Sequence, residues 1–427
     1  MIHVFLGTKA QYIKTAPLLR LMDQRRVPYR LIDSGQHGAL SVGLRDELKV
    51  RAPDVALGQA RHGHQRDITT IPQAAAWAAR MASMLARPTT LRREIFDDQP
   101  GVCVVHGDTP STLLSTLLAR RAGLTVAHLE AGLRSGNLLD PFPEEAIRVV
   151  VMRLAGLLFA PDQSAADNLA RMQVRGTVHI VPNAIIEAAA HATADAHIDV
   201  AAVAGTGRAI VTMHRVENLH KPQRVADLVD LVLEVARHQP VTFVTHGPTA
   251  QALEKAGHLA RLRQAAAPQP PQPQAHDQPQ AHGQAQAHDQ PQAHGQPQAH
   301  GQPQVHDQPQ VHDQPQAHDQ PQAHDLEVLP LLPHGQFVAR LAAAPWVITD
   351  GGSIQEECAL LGVPTLLWRQ RSERPDGLGA NVVLSHHDPT AAREFVANAQ
   401  RHRRPPAIPD VRPSEAVLAA LLAADAR

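Results

Sequence analysis

Cysteine is scarce: Cys103 and Cys358 are the two in 427 residues. Both fall inside apolar strand or helix patterns, so a disulfide framework is excluded and a reducing compartment fits. No apolar run approaches the roughly 18 residues a membrane span needs. The opening MIHVFLGT has no basic region ahead of a long apolar stretch. Together these absences predict a cytoplasmic protein with no membrane partner. Surplus charge is missing too. Forty Lys and Arg against 41 Asp and Glu leave a formal net charge of −1, which offers no electrostatic footprint for nucleic acid. Apolar residues make up 43% of the chain, as in ordinary globular proteins, and the length suits two domains.

One segment lacks core-forming residues. From about Pro268 to Asp325 the chain repeats a hexamer close to Gln-Pro-Gln-Ala-His-Asp/Gly. With so few large apolar side chains it cannot offset its own ordering entropy, and it reads as a disordered, polyproline-II-leaning insertion. Nine histidines (His276, His282, His288, His294, His300, His306, His312, His318 and His324) recur every six residues. On a helix of three residues per turn they share one face. Adventitious zinc or nickel binding is one reading of that face; an expanded repeat without a role is the favoured one.

Outside the insertion, short apolar runs alternate with helical periodicity. Strands are expected at Ile2–Leu6, Tyr29–Asp33, Val102–His106, Thr125–Leu129, Leu157–Ala160 and Thr177–Val181. Helices are expected between them, including one long helix over Ile71–Ile95. The pattern restarts with strands at Ala209–Thr212, Val241–Thr245, Leu326–Leu329, Trp346–Thr349 and Pro364–Leu367, and ends in a helix at Glu415–Ala424 with Ser414 as its N-cap. Such alternation favours parallel strands joined by crossover helices, hence an α/β chain of two doubly wound, Rossmann-like halves. The expected divisions are an N-terminal domain over 1–182, a C-terminal domain over 183–405 interrupted by the 268–325 insertion, and a helical segment over 406–427.

In open parallel sheets ligands bind beyond the carboxyl ends of the strands, and the polar residues expected there form a consistent set. Gly7-Thr8-Lys9-Ala10-Gln11-Tyr12-Ile13-Lys14 follows the first strand. A glycine and a hydroxyl at a strand-to-helix turn, with two lysines, suit an anion, although lysines on a solvated surface are the plainer explanation. Ser34-Gly35-Gln36-His37 makes another polar turn. Asp108 lies just beyond a strand, where it could simply cap a helix. Glu130 closes a buried strand, which is hard to explain as a solvated charge. Glu144 opens a helix, where the dipole alone accounts for a carboxylate. Taken together, the three carboxylates suit general acid–base chemistry in one crevice. In the second half, the glycines and serine of Thr349-Asp350-Gly351-Gly352-Ser353 open a helix whose free N–H groups suit a diphosphate. Glu357 lies one turn on, placed for ribose hydroxyls, and Arg369, Glu373 and Arg374 follow the next strand.

These residues carry a resemblance. The motifs GTKAQYIKTAPLL, VHGDT, HLEAGLRS, PFPEE, VTMHRVENL, TDGGSIQEE and ERPDG resemble the non-hydrolysing UDP-N-acetylglucosamine 2-epimerases over nearly everything except the repeat. The resemblance implies a GT-B-like fold with the site in the crevice between two Rossmann-like domains. It implies a soluble homodimer that needs no metal or other cofactor and takes a UDP-N-acetylhexosamine for cell-surface polysaccharide synthesis. It also implies anti-elimination of UDP to 2-acetamidoglucal, followed by re-addition with C2 protonated from the other face. By the same likeness the catalytic residues are Asp108, Glu130, Glu144 and His214, with the three carboxylates sharing the acid–base roles. The substrate-binding residues are Lys9, Lys14, Gln36, His37, Arg134, Arg215, Gly351, Gly352, Ser353, Glu357 and Arg374. The chain departs from the family's usual Gly-Thr-Arg-Pro-Glu at Gly7–Gln11 and from Ser-Gly-Gly at Gly351–Ser353. The alternatives are a hydrolysing relative that releases N-acetylmannosamine and UDP, a GT-B glycosyltransferase, and a binding protein without activity. The convergent carboxylates argue against the last, and no amphipathic acceptor-binding region supports the transferase.

Overall fold

The computed structural model describes residues 1–36, 42–58, 60–61, 64–65, 68, 71–138, 142–267 and 324–426. The candidate His37 and the repeat through residue 323 lie outside these. Strands β1 (Ile2–Leu6), β2 (Tyr29–Asp33), β3 (Val55–Ala56), β6 (Val102–His106), β7 (Thr125–Leu129), β8 (Leu157–Ala160) and β9 (Thr177–Ile180) form one sheet; β4 (Ala60–Arg61) and β5 (His64–Gln65) pair separately. A second sheet holds β10 (Ala209–Thr212), β11 (Val241–Thr245), β12 (Leu326–Pro330), β13 (Val347–Thr349), β14 (Thr365–Leu367) and β15 (Val382–Leu384). Both large sheets are parallel, in the orders β3-β2-β1-β6-β7-β8-β9 and β12-β11-β10-β13-β14-β15.

The helices follow the strands as crossovers. Those of the N-terminal lobe are α1 (Lys9–Gln24), α2 (Val42–Leu48), α3 (Ile71–Ser83), α4 (Pro88–Phe96), α5 (Pro110–Arg121), α6 (Glu144–Leu154) and α7 (Gln163–Arg171). After α8 (Ile185–Asp195) and α9 (Val200–Val203) come α10 (Val216–Leu219), α11 (Pro222–Val235), α12 (Gly247–Lys255), α13 (His258–Ala266), α14 (His334–Ala343), α15 (Gly352–Leu361), α16 (Pro389–Ala397) and α17 (Pro413–Asp425). Side chains alternate across each sheet with period two. Val4 and Leu6 enter one core and Phe5 the other; Val211 and Ile210 divide the same way in the second sheet. With helices on both faces, the strands are near-continuous apolar runs.

Two local expectations are corrected. The single helix expected over Ile71–Ile95 is three pieces: α3, a 3-10 turn at Met84–Ala86, and α4. Pro88 cannot donate to the preceding turn, so it starts a helix rather than continuing one. Ser414 is not an N-cap. Arg412 holds that position, and Ser414 sits inside α17 with its hydroxyl 2.8 Å from Glu187 Oε1. Cys103 and Cys358 are buried and unpaired. No helix among the described residues is long and apolar enough to cross a membrane.

Candidate active site

Strand order reverses between β1 and β6 in one sheet and between β10 and β13 in the other. Loops leaving such a switch point splay apart and open a crevice. These four loops carry the Gly7–Gln11 turn, Asp108, His214 with Arg215, and Gly351 with Gly352. Each side chain is then set by its local chemistry.

Helix α1 is capped by Thr8 and Gln11 in a reciprocal box. The buried Gln11 amide does more: Oε1 accepts from the Gly7 and Thr8 N–H groups, while Nε2 donates to the His106 carbonyl at 2.7 Å and to Thr112 Oγ1 at 2.9 Å. It ties the first loop to the loop that carries Asp108. A carboxylate at position 11 could not donate those last bonds, which accounts for glutamine there. The same bonds occupy the Gly7 and Thr8 N–H groups internally, so an anion must find its donors elsewhere. On the opposite side of the first lobe's crevice, Thr109 caps α5 with Pro110 at its first position. Asp108 is therefore not the cap, and its Oδ2 lies 2.5 Å from Arg148 Nη2.

Glu130 follows β7 with φ at 59°, a left-handed conformation costly for a non-glycine residue. Its carboxylate takes Lys14 Nζ, Asn183 Nδ2 at 2.7 Å and Arg374 Nη2 at 3.4 Å. Glu356 takes Lys14 Nζ at 2.7 Å, Asn183 Nδ2 at 2.6 Å and Arg374 Nη1. Each lobe thus supplies one acid and one base to a buried cluster of four charges: Lys14 and Glu130 from one, Arg374 and Glu356 from the other. Burial opposes the charge on Glu130, but Lys14, Arg374 and His106 outweigh it and hold this carboxyl well below its ordinary range. Burial, with the Glu130 charge behind it, pushes Glu356 up to about 7. Of the two carboxyls, Glu130 is the one whose charge is favoured.

A second cluster adjoins it. Glu373 is ringed by Arg369 at 2.6 Å, Arg215 at 3.2 Å, Arg148 at 3.5 Å and Arg374 at 3.9 Å. Burial works against its charge and these four guanidiniums hold it well below the usual range. Arg148 reaches Asp108 and also Glu145, which is fully buried and holds Arg134. A continuous line of contacts therefore runs from Asp108 through Arg148, Glu373 and Arg374 to Glu130. Glu144 stands beside it, half-buried, with Oε2 buried and unbonded among the described residues. Burial, backed by the neighbouring Asp108 charge, raises its proton affinity.

On the second sheet, Asp350 ends β13 fully buried and accepts from the backbone N–H groups of His214 at 2.9 Å and Arg215 at 3.0 Å and from Asn218 Nδ2 at 3.0 Å. His214 Nδ1 lies 3.2 Å from the same carboxylate, without hydrogen-bond alignment, and its ring stacks on His246 at 5.3 Å. Helix α15 begins at Gly352 with no side-chain cap. Its glycines leave room for two side chains. A Cβ on Gly351 would stand 2.6 Å from His214 Cε1, and one on Gly352 would stand 2.7 Å from Arg374 Nε. That Nε is buried and makes no hydrogen bond among the described residues, with Glu373 Oε1 3.9 Å away. A positive helix end, a buried guanidinium and an imidazole thus converge where an anion is favoured.

Most of the expected residues are accordingly brought together: Asp108, Glu130, Glu144, Lys14, Arg134, Arg215, His214, Gly351, Gly352 and Arg374, with Ser353 in the first turn of α15. Gln36 meets the start of α5, its Oε1 accepting from the Ser111 N–H at 2.9 Å. Glu357 pairs with His334 at 2.7 Å. Lys9 lines a cleft of about 650 Å³ beside Arg20, Glu47, His191 and His334. Sequence reading passed over Glu356, Asn183, Glu145, Arg148 and His334, and named Glu373 without giving it a role. Glu356 was legible, since it lies four residues from Gly352 and so on the same helix face.

A family model described as UDP-N-acetylglucosamine 2-epimerase matches residues 20–270 and 299–410. The chain is 23% identical over 423 residues to the UDP-N-acetylglucosamine 2-epimerase of Methanocaldococcus jannaschii, covering 95% of this chain and 94% of that one. It is 29% identical over 395 residues to a probable UDP-N-acetylglucosamine 2-epimerase of Ralstonia nicotianae, covering 89% and 85%. The M. jannaschii enzyme solved with UDP-GlcNAc and UDP superposes with a TM-score of 0.72 at 20% identity, covering 99% of both chains. Two parallel sheets of seven and six strands, open at facing switch points, are the two Rossmann-like domains of a GT-B-like fold. With the family model spanning most of its length, the chain belongs to the UDP-N-acetylglucosamine 2-epimerase family.

Proposed function

We propose that this chain interconverts UDP-N-acetylglucosamine and UDP-N-acetylmannosamine without net hydrolysis. The observation that carries this reading is the line of buried contacts from Asp108 to Glu130. It joins Asp108 and Glu130 of one lobe, with Glu144 beside them, to Glu373 and Arg374 of the other, and Arg374 borders the uncapped α15 N-terminus. The diphosphate binds at the helix end, where these cations offset its charge. Glu357 takes the ribose hydroxyls, and the sugar lies toward the carboxylates.

C2 bears an unactivated C–H, so a base alone does not suffice. Glu130, held ionised, removes the C2 proton while the anomeric C–O bond breaks and its electron pair leaves with UDP. The double bond forms between C1 and C2. Glu144, whose burial favours the protonated form, then delivers a proton to the opposite face of C2 as a β-phosphate oxygen of UDP re-forms the bond to C1. Asp108, held by Arg148, adds its charge to the burial that raises the proton affinity of Glu144. Cationic donors at the helix end stabilise the departing diphosphate, the step at which charge develops.

Incubation with UDP-N-acetylglucosamine in D2O, followed by proton NMR, tests the reading. The UDP-linked manno epimer deuterated at C2 is expected. Free N-acetylmannosamine with UDP would replace it with the hydrolysing reaction, and untouched substrate with folded protein would remove the epimerase reading.

A further inference from the structure

Helix α14 begins without a side-chain cap of its own, with Pro333 at the N-cap position. The missing acceptor comes from the other lobe: Glu47 of α2 accepts from the Gly335 N–H. One residue earlier, His334 Nε2 lies 2.7 Å from Glu357 Oε1, their side chains 8% and 4% exposed. Glu47, His334 and Gly335 form part of the wall of the 650 Å³ cleft. Neither Glu47 nor His334 lies in any motif that carries the family resemblance. Helix α15 therefore presents its glycines to the diphosphate site and, one turn on, a glutamate held by a histidine whose own helix is anchored to the opposite lobe.

We infer that His334 is a positioning residue for the nucleotide end of the cleft: it holds one oxygen of Glu357 so that the other meets the sugar hydroxyls of a bound nucleotide, and with Glu47 it joins the two walls of that end. This rests on the nucleotide-binding role of Glu357 proposed above. The groups facing His334 are Glu357 from α15, Glu47 from α2 and, around the same cleft, Lys9 and Arg20 from α1 and His191 and Asp195 from α8. Burial disfavours a charged ring, but Glu357 and then Glu47 outweigh it and raise the imidazole above its ordinary 6.5. Below that raised value the ring is an imidazolium giving Glu357 a charge-assisted bond. Above it an N–H remains but the charge is gone, and both the hold on Glu357 and the attraction for a diphosphate weaken.

The test is UDP binding by calorimetry across about pH 6 to 9, with wild-type protein, His334→Gln and Glu47→Gln. Wild-type affinity is expected to fall as pH rises through the His334 titration. His334→Gln keeps a donor but no charge. It is expected to bind UDP about tenfold more weakly at the acidic end, as for one charge-assisted bond, and without the pH dependence. In turnover its KM rises and kcat changes less than about twofold, as for an interaction made equally in ground and transition states. Glu47→Gln moves the wild-type midpoint to lower pH. A His334→Gln protein with wild-type affinity and pH profile overturns the inference. Should that variant not fold, an unmoved midpoint in Glu47→Gln overturns it equally. Wild-type protein that binds no UDP would remove the nucleotide reading and this inference together, which separates that failure from the other two.

Discussion

Arg374 of the C-terminal lobe reaches Glu130 of the N-terminal lobe, Nη2 to Oε2 at 3.4 Å, while its Nη1 holds Glu356. The proposed base is thus held by cations of both lobes, and the side chain that fixes its charge also borders the anion site. A base kept ionised in this way has to exchange one cation contact for the sugar as UDP occupies the helix end.

Glu130→Gln removes the base while preserving its shape. Epimer formation and C2 deuteration are expected to fall together by about 10²- to 10⁴-fold, measured by NMR in D2O. A variant that keeps more than about a tenth of the wild-type rate, a loss far smaller than general-base removal gives, would move the base role to Asp108 or Glu144.

Arg148→Met removes a cation shared by Asp108, Glu145 and Glu373. Leaving buried carboxylates without it should cost about 3–5 kcal/mol, read from urea unfolding. Arg148→Lys should recover part of that, since lysine restores the charge without the fork.

Gly352→Ala places a methyl 2.7 Å from Arg374 Nε, at a helical position whose backbone any residue adopts. The displaced arginine should weaken UDP binding about tenfold, a little over 1 kcal/mol, with secondary structure by circular dichroism unchanged. An alanine variant with full affinity would show that Arg374 does not face the diphosphate.

Acid stability should be governed first by histidines. Burial lowers His3, His106 and His128 from 6.5 to about 4, so the unfolded chain binds protons that the folded chain refuses between those values. Stability therefore falls as pH drops from about 6.5 toward 4. The contribution of Glu130 and Glu373, whose folded values are depressed, is present above the ordinary carboxylate value and is lost only further down, through their lowered values. Denaturant midpoints across this range check the order, and His128→Asn should flatten the upper part of the curve.

Much of this was legible in the sequence because strand periodicity and turn chemistry are local. The strands β1, β2, β6, β7, β8, β10 and β11 fall where apolar runs place them, and the glycines of α15 and the carboxylates after β6 and β7 fall at strand ends. Tertiary partnership was less legible. That Asp108 binds Arg148 rather than capping α5 depends on Thr109 taking the cap, and both residues suit that task equally. His334 is a lone histidine after an edge strand; nothing local separates it from a surface residue until α2 of the other lobe supplies Glu47. Gln11 stands where the family's usual loop has glutamate, and its amide makes bonds that a carboxylate cannot.

Helix α17 packs Val417, Leu418 and Leu421 into the same core as Val4 and Leu6 of the first sheet. The chain therefore crosses between lobes twice, once after β9 and again before α17. A lobe tethered at one point can swivel about any axis, whereas two tethers leave one easy rotation, about the line that joins them. Any relative movement of the lobes would be confined to rotation about that line, a constraint that favours one register for Glu130 and Arg374.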